Sequence, residues 1–219
     1  MPASTVLFPT LATTCTALAA GFDTIVPARK AQLRALADYL VHRYRAGQTP
    51  QLIVICTHNS RRSHMGQVWL AAGAAYYGLP PLRSYSGGTE ATAFNPRAVA
   101  ALRRLGFAIT TADEHAANPR YNVHWGSESA ADTAFSKVYS ESPNPRDGFA
   151  ALLVCDSAAE ACPVVTGADR RLLLPYEDPK AFDGTPQEAA MYEERARQIG
   201  REILYVLRHT ADELATAHA

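Results

Sequence analysis

Two unbroken apolar runs, residues 52–55 and 149–155, constrain the fold of this chain more than any other feature. An apolar side chain at every position is typical of a strand that is buried on both faces. Helical patterns lie between these strands along the chain, and strands that alternate with helices form a parallel sheet covered by helices. We therefore predict an α/β fold with a small parallel sheet of about four strands, flanked by helices.

Shorter patterns complete this prediction. Apolar residues recur at helical spacing, each pattern closed by a glycine, in residues 27–47, 62–77 and 95–106. Further short strands are predicted at residues 82–86 and 172–174. A capping-box pattern at residues 185–188 predicts the start of a long last helix.

The organisation of the chain follows from these elements. We predict an N-terminal helical extension at residues 1–50 and an α/β domain at residues 51–219, interrupted by an insertion at residues 110–147. Within the extension, Pro9 is expected to break any early helix. Within the insertion, residues 121–125 and 135–139 alternate in polarity and predict a hairpin. The insertion is long enough to cover the crevice in which the strands end.

Charge and cysteine content narrow the functional classes. Lys plus Arg and Asp plus Glu both number 21, so the net charge is zero, and neither nucleic acid nor an anionic membrane is an expected partner. The first basic residue is Arg29, so the start of the chain lacks the charged region of a secretory signal. We expect a cytoplasmic protein with reduced thiols, in which a cysteine within a motif is more often catalytic or redox-active. No Cys/His spacing of the structural-zinc type occurs, and no metal is expected.

The loop after the first predicted strand carries the most specific pattern, C-x5-R-S. Five intervening residues can curl so that their backbone N–H groups surround an anion, and the N-terminus of the following helix adds partial positive charge. This loop, called the anion loop below, consists of Cys56, Thr57, His58, Asn59, Ser60, Arg61, Arg62 and Ser63.

Each chemical group of the anion loop has an expected role. We expect residues 57–62 to bind an oxyanion, with Arg62 donating two hydrogen bonds to it. The positive surroundings favour the thiolate of Cys56, which is then a nucleophile. Ser63 is placed to donate a hydrogen bond to the Cys56 sulfur.

Two more strand ends carry reactive residues. Cys155 ends the second apolar run and is followed by Cys162, while Asp178-Pro179 follows the third strand. The carboxyl ends of parallel strands meet at one crevice, so we expect these groups near Cys56.

These motifs resemble the low-molecular-weight protein tyrosine phosphatase superfamily, whose nucleophile loop is C-x5-R-[ST] after the first strand. The resemblance implies the phosphatase fold, and it implies that Asp178 is the general acid that protonates the leaving group. The C-x6-C spacing of Cys155 and Cys162 resembles that of the thioredoxin-coupled arsenate reductases, which share this fold. The segment 86–90 and Asn95-Pro96 also fit their pattern.

The resemblance covers residues 51–109 and 149–208 and has two departures. The families usually have a glycine at the third position of the loop, where this chain has His58. Neither family requires Arg61.

A helix between Cys155 and Cys162 would separate them by about 10.5 Å along its axis. A disulfide tolerates Cα separations of only ~4.4–6.8 Å, so the two cysteines can join only if the helix unwinds. An unwound segment would present its disulfide to solvent, where a thioredoxin can reach it.

The resemblance implies a thiol-dependent arsenate reductase that needs no cofactor except thioredoxin or a similar thiol reductant. Cys56 attacks arsenate, Cys155 attacks Cys56, and Cys162 then takes over the disulfide. The alternative is a low-molecular-weight phosphatase that hydrolyses phosphomonoesters through a phosphocysteine. A non-catalytic anion-binding or redox-sensing module is a third hypothesis, although it would need no general acid.

Overall fold

The computed structural model describes residues 7–128, 131–161 and 164–216. The strands within these ranges are β1 (Gln51–Cys56), β2 (Arg83–Gly88), β3 (Ala108–Thr111), β4 (Tyr121–His124), β5 (Asp132–Ala134), β6 (Phe149–Leu153) and β7 (Ala168–Leu173). The α-helices are α1 (Pro9–Ala19), α2 (Pro27–Arg45), α3 (Arg62–Tyr76), α4 (Pro96–Arg104), α5 (Asp156–Ala161) and α6 (Glu188–Thr216). Two short 3₁₀ helices span Phe22–Thr24 and Pro179–Phe182.

The main sheet has four parallel strands in the order β2-β1-β6-β7. Its two central strands are the two apolar runs of the sequence, and both are almost wholly buried. The edge strand β7 is longer than the predicted 172–174 and mostly exposed, because an edge strand needs burial on fewer sides. The predicted fold class, a small parallel sheet flanked by helices, is confirmed.

The long helix α6 contacts α1, α2, α3 and α4. Its approach to α3 is close, because a Cβ at Gly200 would lie 2.5 Å from the Trp69 ring. Leu11 of α1 and Leu33 of α2 are fully buried in the same hydrophobic core as the sheet. None of the helices in the described part of the chain has the length and apolar character required to cross a membrane.

The expectation that Pro9 breaks the early helix was wrong. Pro9 is the first residue of α1, the position in which a missing N–H costs nothing and a fixed φ favours the helix. The proposed boundary between residues 50 and 51 stays a prediction.

The insertion, together with the two residues before it, forms a three-stranded antiparallel sheet in the order β3-β4-β5, and not an isolated hairpin. Strand β4 was predicted, but its partners are β3 and the three residues of β5. Residues 135–139 were predicted as the second hairpin strand. They instead run beside the main sheet, where Val138 forms a parallel bridge with Gly88. Alternating polarity marks a half-buried strand but does not identify its partner.

Candidate active site

The anion loop connects the end of β1 to the start of α3, and its carbonyl groups point outward. Backbone N–H groups of Glu90 and Asn95 donate to the carbonyls of Thr57 and Ser60, both over 2.8 Å. The carbonyl of His58 accepts from two side-chain hydroxyls, those of Thr92 and Ser136. Because the C=O and N–H of a trans peptide point in opposite directions, the loop amides face its centre. This arrangement is suited to binding an anion.

The last residue of β2 fits tightly against the loop. A Cβ on Gly88 would lie only 2.6 Å from the carbonyl oxygen of Thr57 and 2.7 Å from the backbone nitrogen of Asn59. Only a residue without a side chain allows this approach.

Asn59 organises the interior of the loop. Its backbone has a φ of +43°, the left-handed region that asparagine tolerates better than most residues. Its amide nitrogen donates to Ser63 Oγ over 2.9 Å, and its amide oxygen accepts from the backbone N–H of Lys137 over 2.9 Å. Ser63 Oγ lies 3.1 Å from the Cys56 sulfur, so a buried chain of contacts leads from the insertion to the predicted nucleophile.

Arg62 and Asp178 form an ion pair at the mouth of the loop. One guanidinium nitrogen of Arg62 donates to Asp178 Oδ2 over 2.7 Å, and another donates to the carbonyl of Tyr176 over 2.6 Å. The third, Nε, is buried and has no hydrogen-bond partner within the described ranges. Asp178 also caps the 3₁₀ helix that follows it, accepting from the N–H of Lys180 over 3.0 Å. The predicted general acid therefore lies beside the predicted anion-binding arginine.

Cys155 lies at the same crevice, two residues beyond the end of β6. Its sulfur is 3.5 Å from the hydroxyl of Thr57, the residue after Cys56. Cys56 and Cys155 are both buried free thiols. The predicted helix after Cys155 is α5, which ends at Ala161, and Cys162 lies outside the described residues.

A cleft of about 380 Å³ lies beside the anion loop, Cys155 and Asp178. Its lining residues are Thr57, His58, Arg62, Cys155, Asp156, Ser157, Tyr176, Glu177 and Asp178. They come from the ends of β1, β6 and β7, as predicted for a parallel sheet. The insertion was expected to cover this crevice, but none of these lining residues belongs to it. It instead supports the loop from behind through Ser136 and Lys137.

The two departures from the family patterns differ in exposure and in partners. The His58 side chain is half exposed at the rim, with Nε2 3.8 Å from Glu90. The Arg61 side chain is mostly buried and donates to the hydroxyl of Tyr192 over 2.8 Å.

Several residues around the site were not predicted. Lys137 is buried behind the loop, and burial lowers the pKa of its ammonium to about 8. Burial also lowers the pKa of His64 well below its ordinary range, so its ring is neutral, and Nδ1 lies 3.0 Å from Ser86 Oγ. No sequence motif marks these positions, because the contacts join distant parts of the chain. The described residues contain no cluster of three or more His, Cys, Asp or Glu residues placed to hold a metal ion.

Comparison with known proteins places this geometry in context. An arsenate reductase from Halalkalibacterium halodurans is 29% identical over 150 residues, which are 68% of this chain and 88% of that protein. An arsenate reductase from Bacillus subtilis is 27% identical with the same coverage. The crystal structure of a low-molecular-weight phosphotyrosine phosphatase from Vibrio cholerae O395 is similar with a TM-score of 0.50. That similarity covers 78% of this chain and 99% of that chain at 12% identity. No family model matches the chain.

The resemblance to the low-molecular-weight phosphatase superfamily is confirmed. The structural similarity identifies the fold. Both named sequence relatives are arsenate reductases, which supports the first of the two expected enzyme classes.

Proposed function

We propose that this chain is a thiol-dependent arsenate reductase. One observation carries the proposal: Cys155, a residue that ester hydrolysis does not need, lies at the anion loop, with its sulfur 3.5 Å from the side chain next to Cys56. The curated relatives named arsenate reductase add independent support. The substrate is a small oxyanion, and the cytoplasm, where thiols stay reduced, is the proposed location.

The first step forms a bond between sulfur and arsenic. The loop amides and Arg62 hold arsenate, and the Cys56 thiolate attacks arsenic. Asp178 transfers its proton to the departing oxygen, which leaves as water. Arg62 must exchange its ion pair with Asp178 for the oxyanion, and this exchange frees the carboxyl group to act on the leaving oxygen.

The second step transfers two electrons. The Cys155 thiolate attacks the Cys56 sulfur, and the electrons of the sulfur–arsenic bond remain on arsenic, which leaves as arsenite. A Cys56–Cys155 disulfide remains. The Cys162 thiolate attacks Cys155, releases Cys56 as a thiolate and forms the Cys155–Cys162 disulfide. A thioredoxin or a similar dithiol then reduces this disulfide and is itself oxidised.

Helix α5 is the conformational element of this relay. It has six residues, so few backbone hydrogen bonds must break when it unwinds to bring the cysteines together. Arg171 of β7 donates to the carbonyl of Ala159 over 2.8 Å, a tether that unwinding must release.

Phosphomonoester hydrolysis is the second candidate function. Cys56, Arg62 and Asp178 are the nucleophile, anion ligand and acid that such hydrolysis needs. Arg62 and Asp178 line the cleft, and Cys56 directly precedes Thr57, which also lines it. In this reaction Cys56 forms a phosphocysteine that water hydrolyses, and Cys155 takes no part.

The experiment compares wild type with Cys155→Ser and Cys162→Ser, using Cys15→Ala as the matched control. Cys15 is fully buried in α1, and burial raises the pKa of its thiol to about 12, so it takes no part in exchange. Each protein is assayed for thioredoxin-coupled arsenate reduction and for p-nitrophenyl phosphate hydrolysis. Loss of reduction in both serine variants, with hydrolysis retained and the control active, supports the reductase. Fast hydrolysis without arsenate turnover in all four proteins rejects the reductase in favour of the phosphatase.

A further inference from the structure

Arg61 and Arg62 are neighbours in sequence, but their guanidinium groups have different surroundings. Arg62 lines the cleft, whereas Arg61 does not. The side chain of Arg61 is only 12% exposed and turns toward the segment that follows Asp178. Burial of a guanidinium is costly unless its charge and N–H groups find partners, so its contacts indicate what it stabilises.

The contacts of Arg61 span both ends of the 3₁₀ helix Pro179–Phe182. At the start of this helix, Arg61 Nε lies 3.9 Å from Asp178 Oδ1. At its end, an Arg61 terminal nitrogen lies 3.7 Å from Asp183 Oδ2. One buried guanidinium therefore connects the anion loop to both carboxylates that border the acid-bearing segment.

Tyr192 fixes Arg61 in this position. It is a fully buried residue of α6, and its hydroxyl accepts from Arg61 Nε over 2.8 Å and donates to Asp183 Oδ1 over 2.8 Å. The last helix thus holds both the arginine and the far end of the segment.

We propose that Arg61 is a positioning residue for leaving-group protonation, and that it acts through Asp178. In the structure Arg62 makes the shorter contact with Asp178. When Arg62 turns to the bound oxyanion, Arg61, held by Tyr192 and Asp183, keeps the Asp178 carboxyl above the loop. The inference rests on the proposed role of Asp178 as general acid, and it applies to both candidate reactions.

A second oxyanion-binding role for Arg61 fits the structure less well. Its charge is already shared between two carboxylates, and its shortest hydrogen bond is to a buried tyrosine. Moving it into the cleft would leave Asp183 and the Tyr192 hydroxyl without this partner. The test therefore separates anion binding from leaving-group chemistry.

The experiment is a double-mutant cycle that combines Arg61→Gln with Asp178→Asn, with Arg61→Lys and Tyr192→Phe as further variants. Arg104→Gln is the matched control, because it breaks a different arginine contact with α6, the pair with Glu193. kcat/KM is measured with arsenate, with p-nitrophenyl phosphate and with phenyl phosphate. The phenolate leaving group is more basic than p-nitrophenolate, so its departure depends more on protonation by a general acid. Inhibition by inorganic phosphate reports anion binding.

The expected result has three parts. Arg61→Gln lowers kcat/KM for phenyl phosphate by about 10- to 100-fold, which is part of the ~10²–10⁴-fold acceleration that a general acid supplies. The decrease in kcat/KM for p-nitrophenyl phosphate is smaller. The effect largely disappears in the Asp178→Asn background, since both changes remove the same function. Inhibition by inorganic phosphate is unchanged in Arg61→Gln. Arg61→Lys retains part of the kcat/KM that Arg61→Gln loses, and Tyr192→Phe lowers kcat/KM less, with the same dependence on the leaving group.

Three outcomes overturn the inference. Weaker phosphate inhibition in Arg61→Gln would make Arg61 an anion ligand. If Arg61→Gln lowers kcat/KM equally for phenyl phosphate and p-nitrophenyl phosphate, the role of Arg61 is merely structural. The same conclusion follows if Arg61→Gln lowers kcat/KM equally in the wild-type and Asp178→Asn backgrounds. If Asp178→Asn itself has no effect, or wild type turns over none of the three substrates, the proposed function fails and the inference fails with it.

Discussion

The side-chain amide of Asn59 donates to the hydroxyl of Ser63 over 2.9 Å and thereby fixes the group that contacts the Cys56 sulfur. We expect Ser63→Ala to lower kcat/KM about 10- to 100-fold, because a hydrogen bond to a charged group contributes about 1.5–3 kcal/mol. Ser63→Thr keeps the hydroxyl and serves as the control. Steady-state kinetics with p-nitrophenyl phosphate measure the effect, and similar losses in both variants would argue against the hydrogen bond as the cause.

Arg62→Lys is expected to weaken anion binding while the charge is retained. A lysine ammonium cannot reproduce the paired N–H groups of a guanidinium, so we predict that the inhibition constant of inorganic phosphate rises about 10-fold or more. Arg208→Lys, in an exposed pair with Asp212, is the control. An unchanged phosphate constant for Arg62→Lys would exclude bidentate binding by this residue.

Gly88→Ala is expected to disturb the anion loop. The added Cβ would lie 2.2 Å from the carbonyl oxygen of Glu90, and its other close neighbours are also backbone atoms, so the backbone itself must move. We predict a loss of about 1–3 kcal/mol in the free energy of unfolding, measured by urea titration, together with reduced phosphate binding. Another glycine such as Gly47 does not serve as a control, because the positive φ of Gly47 would itself strain an alanine. Ala71→Gly on α3 offers a mild helix change of about 1 kcal/mol for comparison. A fully stable, fully active Gly88→Ala protein would contradict the close fit.

Lys137 is expected to make stability depend on pH. Burial lowers the pKa of its ammonium from 10.5 to about 8, so between these values the unfolded chain binds a proton that the folded chain has lost. The free energy of unfolding therefore rises with pH through this window, by up to about 3 kcal/mol, and the gain is lost again as the pH falls to 8.

Lys137→Met isolates this contribution. The wild type should gain stability relative to the variant between pH 8 and pH 10.5, as measured by urea unfolding at several pH values. The nearby Asp132, Arg120 and Glu141 stay the same in both proteins. Parallel stability curves would show that the buried ammonium does not titrate in this range.

The main sheet could be predicted from the sequence because its central strands are continuous apolar runs. Helix α1 was missed because a proline at a first helical position has the same appearance in sequence as one that breaks a helix. Strands β3 and β5 have four and three residues, too few for a period to be recognised, and their pairing with β4 is a tertiary property.

The site was predicted as far as local spacing extends. The loop and its position after a buried strand are encoded within eight residues, and Asp178 follows a strand in the same sheet. The contacts of Arg61 with Tyr192, and of Asn59 with Lys137, join positions 131 and 78 residues apart. No periodicity or motif connects such positions, so only the folded chain reveals them.

The chain that leaves the sheet of the insertion is connected to the predicted nucleophile by a series of hydrogen bonds. The strands β3, β4 and β5 lead directly into Ser136 and Lys137, which bind the back of the anion loop. From Lys137 the path to the Cys56 sulfur runs through the Asn59 amide and the Ser63 hydroxyl, over three hydrogen-bond contacts between residues that do not line the cleft. The support of the hydroxyl beside the thiol thus comes from a part of the chain that does not line the cleft.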